Sequence, residues 1–527
     1  MNSKLAFRAY LSGYHNEVTG SRMLLQVEFP DGRVKRVLID CGYFQEIDHK
    51  RLNYVDDLDP STIDAILITH NHIDHTGLLP KFVRDGYNGH IYMTEITTEL
   101  CPLYLYNSCQ HQAENVEEMQ KEYPAEAKIF RPLYHKSDVE NTVKKMVGVP
   151  YRKTVEILPG IEATFYENAH ILGAAMILLQ CKSEGKRSIN FFFTGDYRLE
   201  NCFFKMPAIP QKVRNMPLIM VHETTNGEID SGDIKRCLWT NIVNAVSKKM
   251  DILIGTLAQG REQEMLYLLK LMQEARVLPK WYKIYVDGPL GIKTTAKYQE
   301  ILSWYNPKKA DFMPEGVIYV TPKTRDSVLS DQSPKIILTT SGMLSQGPAR
   351  TYVPVFLERS NAMIHLVSYA AEGTVARALL DAKHKEEVLY GSQKLKKRAT
   401  IKSTREMSSH ATADQMIGFI NQFTNIQKLI LQHGSYESQD AFEKRVVEET
   451  NAKDVGRLNR QTRYAIYQCA GLKNTWLNMK IKELPNKVES RYAYKPSKKE
   501  REQTRAERKR KKAAKRAAKN RRVCQTH

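Results

Sequence analysis

The sequence predicts an α/β protein in three parts, followed by a basic tail. Three observations predict it. Short apolar runs crowd the first two hundred residues. Strand-like runs alternate with amphipathic segments between Met206 and Lys396. Beyond Lys396 the composition changes again, and from about Pro485 it becomes dominated by Lys and Arg.

The first part is built from short apolar runs: Met23 to Val27, Arg36 to Ile39, Ile63 to Ile68 and Ile189 to Phe193. Gly, Asp and Asn bound them, as they bound strands. The stretch from Thr98 to Val147 interleaves Glu and Lys and reads as helical. In the second part strands are expected at Leu218 to Val221, Ile252 to Ile254, Ile284 to Val286, Val317 to Val320, Ile336 to Leu338 and Ile364 to Val367. Between them Glu262 to Ala275 places Met265, Leu268, Leu269 and Met272 at helical spacing. Such alternation implies a largely parallel sheet covered by helices. In the third part a helical stretch follows Met407-Ser408-Ser409-His410, and the strand-like Lys428 to Gln432 ends at His433-Gly434.

The composition narrows the class. With 42% hydrophobic and 26% charged residues the chain fits a soluble globular protein. No run of about 18 apolar residues is present, so no membrane span is expected. The first twenty residues lack the apolar core of a secretory signal. The eight cysteines form no CxxC pair, which suggests neither a disulfide framework nor a thiolate metal site. A reducing, cytoplasmic compartment fits, or a nuclear one in a eukaryote. The net charge of +20 is uneven: Lys495 to Arg522 holds fifteen Lys or Arg against three Glu. Such a block repels itself, cannot bury a core and commonly meets nucleic acid. It reads as a marginal helix or a disordered tail, solubilising or RNA-binding.

The chemistry gathers after one strand. Ile63 to Thr69 runs into His70-Asn71-His72-Ile73-Asp74-His75. Imidazole nitrogen and carboxylate oxygen suit zinc at about 2.0–2.2 Å. Four such groups within six residues exceed what one tetrahedral ion takes from a single loop, which leaves room for two ions. Further polar groups stand where later strands end: His170 in Asn168-Ala169-His170, Asp196 after Phe191 to Gly195, and His433 after Leu429 to Gln432. Each alone also reads as a turn or capping residue.

With these motifs the sequence resembles the metallo-β-lactamase superfamily, and within it the β-CASP nucleases. That group includes the pre-mRNA 3′-end cleavage endonuclease, RNase J and their bacterial and archaeal relatives. The resemblance runs from about Ala6 to about Glu448. Beyond the His/Asp loop it rests on Val18 to Ser21, Leu38 to Gln45, Gly77 to Pro80, Pro132 to Tyr134, Gly260 to Glu264, Asp287 to Leu290 and Thr340 to Met343, in the family's order.

The resemblance implies a four-layered αββα sandwich with a β-CASP α/β domain inserted. The first part of the sandwich would span 1–205, the insertion 206–396, the returning part 397–484 and the basic tail 485–527. It implies that His70, His72 and His170 hold one zinc, that Asp74, His75 and His433 hold the second, and that Asp196 bridges them. Asp74 would also be catalytic. Glu223, in Glu223-Thr224-Thr225-Asn226, would match the family's acidic motif, although Asn226 stands where an aromatic residue is more frequent. Two milder departures, Ala169 for Gly and Ala174 for Ser, flank His170. His410 would be the general acid, held by Glu223, and backbone groups at Ser409 and Ala411 would grip a phosphate. RNA-cutting members carry His at the position of His433, where DNA-cutting members carry Val. The implied activity is hydrolysis of single-stranded RNA, by internal cutting with cutting from the 5′ end left open, through a two-metal hydroxide mechanism that leaves 5′-phosphate and 3′-hydroxyl ends. A DNA nuclease, a small-molecule hydrolase of the superfamily and a scaffold without activity are the rival readings. A homo-oligomer or an RNA-processing complex would fit the family as the working state.

Overall fold

The structure is a computed structural model that describes residues 7–14, 18–46, 49–368, 370, 374–452, 454–468 and 479–485. The basic tail expected beyond Pro485 lies outside the described residues.

Two mixed sheets face each other. The first has eight strands in the order Met479–Pro485, Thr462–Gln468, Arg8–Gly13, Met23–Glu28, Val34–Ile39, Ala65–Leu67, His90–Thr94 and Met146–Val149. The second has seven, in the order Val455–Arg457, Ile426–Gln432, Leu218–Glu223, Ile189–Phe193, Ala175–Cys181, Ile161–Glu167 and Thr154–Leu158. Successive side chains of a strand point to opposite faces, and the packing follows that period. Ile39 and Leu67 of the first sheet meet Phe191, Phe193 and Val221 of the second in a shared inner core. Leu38 and Ile66 instead pack outward against Phe82, Cys101 and Leu105 of helices. Phe192 and Met220 pack outward against Met416, Phe419 and Phe442 of the opposite helical layer. The layers are therefore αββα. Full burial of each such Phe contributes roughly 1.5–3 kcal/mol.

The third sheet has six strands, ordered Val317–Tyr319, Lys283–Asp287, Lys335–Thr340, Asp251–Thr256, Ala362–Leu366 and Thr400–Ser403. All its pairings are parallel. Helices cover both faces: Leu238–Ser247, Arg261–Glu274 and Pro289–Tyr305 on one, Ala349–Leu357 and Val375–Asp381 on the other. Two-sided burial explains the near-continuous apolar runs of these strands.

The strand Leu218–Glu223, read from sequence as part of the inserted segment, pairs with Ile189–Phe193 and Ile426–Gln432 in the seven-stranded sheet. The chain thus crosses into the parallel sheet after Glu223, later than 206, and leaves it after Ser403, later than 396. A buried parallel strand is apolar in either sheet, so composition does not mark the crossing.

Candidate metal centre

Five strands, one from the first sheet and four from the second, deliver the candidate residues. His70 lies three residues past Leu67, His170 three past Glu167 and Asp196 three past Phe193. Glu223 ends its strand, and His433 follows Gln432 directly. Rigid strand ends fix side chains more closely than free loops do.

The His/Asp loop rests on the segments Thr19 to Ser21 and Asp40 to Tyr43. Ser21 donates its amide to Asp74 O at 2.8 Å, Cys41 to His75 O at 2.7 Å and Tyr43 to Ile73 O at 3.0 Å. A Cβ on Gly42 would fall 1.6 Å from Asp74 O, so only glycine admits this approach. Asp40 takes a left-handed backbone, φ 59°. Its buried carboxylate accepts from Thr69 N at 2.8 Å, from the Thr69 hydroxyl and from His75 Nδ1 at 2.7 Å.

Outer hydrogen bonds assign the imidazole tautomers. His75 Nδ1 donates to Asp40, and His170 Nδ1 donates to Ser409 O at 2.8 Å. Thr69 gives its proton to Asp40, so it accepts from His70 Nδ1 at 3.1 Å. Thr225 Oγ1 lies 3.1 Å from His433 Nδ1 and donates to the His433 carbonyl, so it accepts from that ring. These outer bonds turn Nε2 of each ring inward, and His75, which burial lowers but Asp196 and Asp40 together raise well above the usual histidine range, would release its second proton to a bound metal.

The inward atoms form two groups. His70 Nε2 and His170 Nε2 each stand 3.1 Å from His72 Nδ1. His75 Nε2 stands 3.1 Å from His433 Nε2, and each is 3.8 Å from Asp74 Oδ2. Asp196 Oδ2 lies between the groups, 3.3 Å from His75 Nε2, 3.7 Å from His70 Nε2 and 3.9 Å from His170 Nε2. These spacings are close to the edges of a zinc tetrahedron, roughly 3.3–3.4 Å for bonds near 2.05 Å. Asp196 Oδ1 is buried and accepts no hydrogen bond among the described residues, with His433 Nδ1 standing 3.4 Å away. The donor set, its spacing and that orphaned oxygen all fit divalent metal.

Electrostatics point the same way. Burial, aided by His75 and His170, holds His70 well below the usual histidine range, and burial brings His72 down to about 4. Burial and His410 hold His170 low as well. These rings are neutral near pH 7, the form a metal requires. Asp196 behaves oppositely: burial raises it, but His433, His75 and His70 together hold its carboxyl well below the ordinary value.

His410 sits beside both groups, its ring centroid 4.9 Å from that of His170 and 6.2 Å from that of His433. Its Nδ1 bonds Glu223 Oε2 at 2.8 Å. Glu223 is buried and also accepts from Tyr197 N at 2.7 Å. Burial disfavours the charged His410 ring, yet the Glu223 carboxylate outweighs it and the pKa rises.

All seven residues expected as ligands, with Glu223 and His410, come together. The phosphate grip expected of Ala411 needs correction. Its amide donates to Tyr197 O at 2.6 Å and the residue is fully buried, so that amide is committed. Ser409 stays at the site, with its carbonyl on His170. Sequence reasoning passed over Asp40, Thr69 and Thr225, which orient the imidazoles. It also passed over Arg261, whose guanidinium reaches Val367 O at 3.1 Å and Ser409 Oγ at 3.4 Å. Asp40 and Arg261 fall inside the quoted motifs Leu38 to Gln45 and Gly260 to Glu264, the one signal that could have found them.

Fold and site define a metallo-β-lactamase sandwich whose strand ends converge on a His/Asp cluster. Family models match in series: the metallo-beta-lactamase superfamily over residues 31–160, the Beta-Casp domain over 262–379, and the Zn-dependent metallo-hydrolase RNA specificity domain over 394–455. The chain belongs to the β-CASP family of the metallo-β-lactamase superfamily. It is 28% identical to the transcription termination factor FttA of Methanocaldococcus jannaschii, over 78% of this chain and 65% of that one. It is 29% identical to cleavage and polyadenylation specificity factor subunit 3-I of Arabidopsis thaliana, over 66% of this chain and 49% of that one. It is 26% identical to an RNase J-like protein of Methanocaldococcus jannaschii, over 79% of this chain and 90% of that one. The chain thus spans about two thirds of the first relative's length and half of the second's. Among the described residues, no helix is long and apolar enough to cross a membrane.

Proposed function

We propose that this protein is a zinc-dependent ribonuclease that cuts single-stranded RNA and leaves 5′-phosphate and 3′-hydroxyl ends. One observation carries the reading. His433, from the segment that matches the RNA specificity domain, closes onto Asp74, His75 and Asp196 from a strand far along the chain. By the family resemblance, a His at this position goes with cutting of RNA. The inserted β-CASP domain would run from the crossing after Glu223 to the return after Ser403, and the substrate would enter the cleft between it and the sandwich.

His70, His72 and His170 would hold one ion, Asp74, His75 and His433 the other, with Asp196 between them. Two such ions supply an activated water near neutral pH and neutralise charge developing on a phosphoryl oxygen. The chain's own residues do the rest. Asp74, on the rim of its group, orients the attacking water by accepting its remaining proton. His410, kept protonated by Glu223, donates to the leaving 3′-oxygen. Breaking the bond from phosphorus to that oxygen leaves the phosphate on the 5′ side of the downstream fragment.

The test uses end-labelled single-stranded RNA carrying a 5′-monophosphate or a 5′-triphosphate, with single-stranded DNA in parallel. The expected result is RNA cleavage that a zinc chelator stops and added zinc restores. Faster cutting of DNA, or zinc-loaded protein that cuts neither, would overturn the reading.

A further inference from the structure

The +20 net charge is concentrated in two places. Residues 495–522 hold a net +12. Residues 383–405 hold eight Lys or Arg against two Glu, a net +6, so the two segments account for eighteen of the twenty charges. The second segment belongs to the folded protein and plays no part in the candidate metal centre.

It comprises the antiparallel hairpin Glu387–Tyr390 and Gln393–Lys396, then Thr400–Ser403, the outermost strand of the parallel sheet. Of its eight cations only Lys397 is buried, its ammonium donating to the carbonyls of Leu379 and Ala382. The other seven are exposed. Among the described residues none of the seven forms an ion pair, and the nearby Asp381 is taken by Arg377. Elsewhere some exposed cations are matched, as in Lys283–Asp331 and Lys444–Asp440. Glu387 stands opposite Lys396 across the hairpin, yet the segment keeps a net +6, and an extended polyanion relieves the repulsion within it.

The face leads to the catalytic cleft. The hairpin is anchored on the inserted domain by Tyr390, which donates its hydroxyl to Leu344 O at 2.7 Å. The edge strand ends level with Leu366, to whose carbonyl Thr404 donates at 3.0 Å. The next residue, Val367, holds Arg261, which reaches Ser409 beside His410. Arg405 stands five positions before His410 on the same chain segment.

We infer that residues 383–405 form a backbone-binding track that carries single-stranded RNA to or from the cleft on the His410 side, with Lys394, Lys396, Lys402 and Arg405 gripping phosphates. The inference rests on the ribonuclease reading and adds where the strand lies. An acidic protein would also fit a basic face, but the track's continuity with a phosphodiester site favours RNA.

The test measures binding of a fluorescent 20-nucleotide single-stranded RNA to the full chain, with chelator present to prevent cutting. The variant carries Lys394→Gln, Lys396→Gln, Lys402→Gln and Arg405→Gln. Each phosphate contact contributes about −0.7 to the log–log salt slope, so the slope should flatten by about 2–3 and affinity at 0.1 M salt should fall about tenfold or more. A companion with Arg at the three lysine positions keeps the charge and should bind as the parent does. An unchanged affinity and slope in the Gln variant would overturn the track. So would loss of binding to polyglutamate with RNA binding intact, which would assign the face to an acidic protein. A parent that binds RNA through this face yet cuts none when zinc-loaded sinks the nuclease reading and leaves the track. A parent that cuts RNA while the Gln variant binds it unchanged does the reverse.

Discussion

Asn71 and Gln259 exchange two side-chain hydrogen bonds, 2.7 and 2.8 Å long, and both are buried. Asn71 lies between His70 and His72, while Gln259 follows the first strand of the parallel sheet. The amide pair therefore ties the metal loop directly to the inserted domain. A buried amide left without its partner costs about 1–3 kcal/mol, whereas removing both partners costs less than the sum. Asn71→Ala and Gln259→Ala should each lower the denaturation midpoint, and the double variant should be more stable than additivity predicts. Strictly additive losses in that cycle would show that the pair is not coupled.

Asp40 should matter to metal affinity without touching metal. It accepts from His75 Nδ1 and from Thr69, which in turn supports His70. Outer partners of this kind typically contribute 10–100-fold to affinity. Asp40→Asn should weaken zinc binding by about that factor in a chelator competition, while the double variant His72→Ala, Asp74→Ala should lose both zinc binding and cleavage. Wild-type zinc affinity in Asp40→Asn would remove Asp40 from this role.

His410 is placed beside the ligand groups yet anchored to Glu223, so its removal should separate chemistry from metal binding. His410→Ala should keep two zinc ions per chain by elemental analysis and lose about 10²–10⁴-fold in kcat, the usual contribution of a positioned acid. Glu223→Gln should lose less, because it acts through His410. A fall to one zinc per chain in His410→Ala would make His410 a ligand instead.

How legible was this in sequence? The His/Asp loop was plain, because four candidate ligands within six residues need no long-range information. The αββα layering and the parallel sheet followed from strand patterning and the family resemblance. His170, Asp196 and His433 each read singly as turn residues, and only the family order united them. What stayed hidden depends on contacts between distant residues. Asn71 and Gln259 are 188 positions apart, and Arg198 with Glu264, a buried ion pair joining the sandwich to the insertion, 66. Neither leaves a local pattern. The membership of Leu218–Glu223 escaped because both sheets bury such a strand on two faces. The commitment of the Ala411 amide to Tyr197 depends on a backbone path that residue types do not encode.

Glu262 makes the last prediction, one about stability. It opens the helix Arg261–Glu274, is fully buried, and its Oε2 accepts no hydrogen bond. The Thr295 hydroxyl stands 3.4 Å from Oε1, and it and Thr256 only partly offset the burial. Burial pushes its carboxyl up to about 8, against an ordinary 4.5. Between those values the folded chain holds a proton that the unfolded chain releases, so this group makes stability fall as pH rises through the window. The slope is at most about 1.4 kcal/mol per pH unit. Below about 4.5 both states are protonated and the penalty vanishes; above about 8 it is constant. Glu262→Gln keeps the shape and cannot ionise. The variant should match the parent at pH 4.5 and gain steadily on it up to pH 8, by a few kcal/mol at most, in denaturant titrations at each pH. A difference that does not change with pH would show that the carboxyl titrates alike in the folded and unfolded chain, so that burial does not shift it.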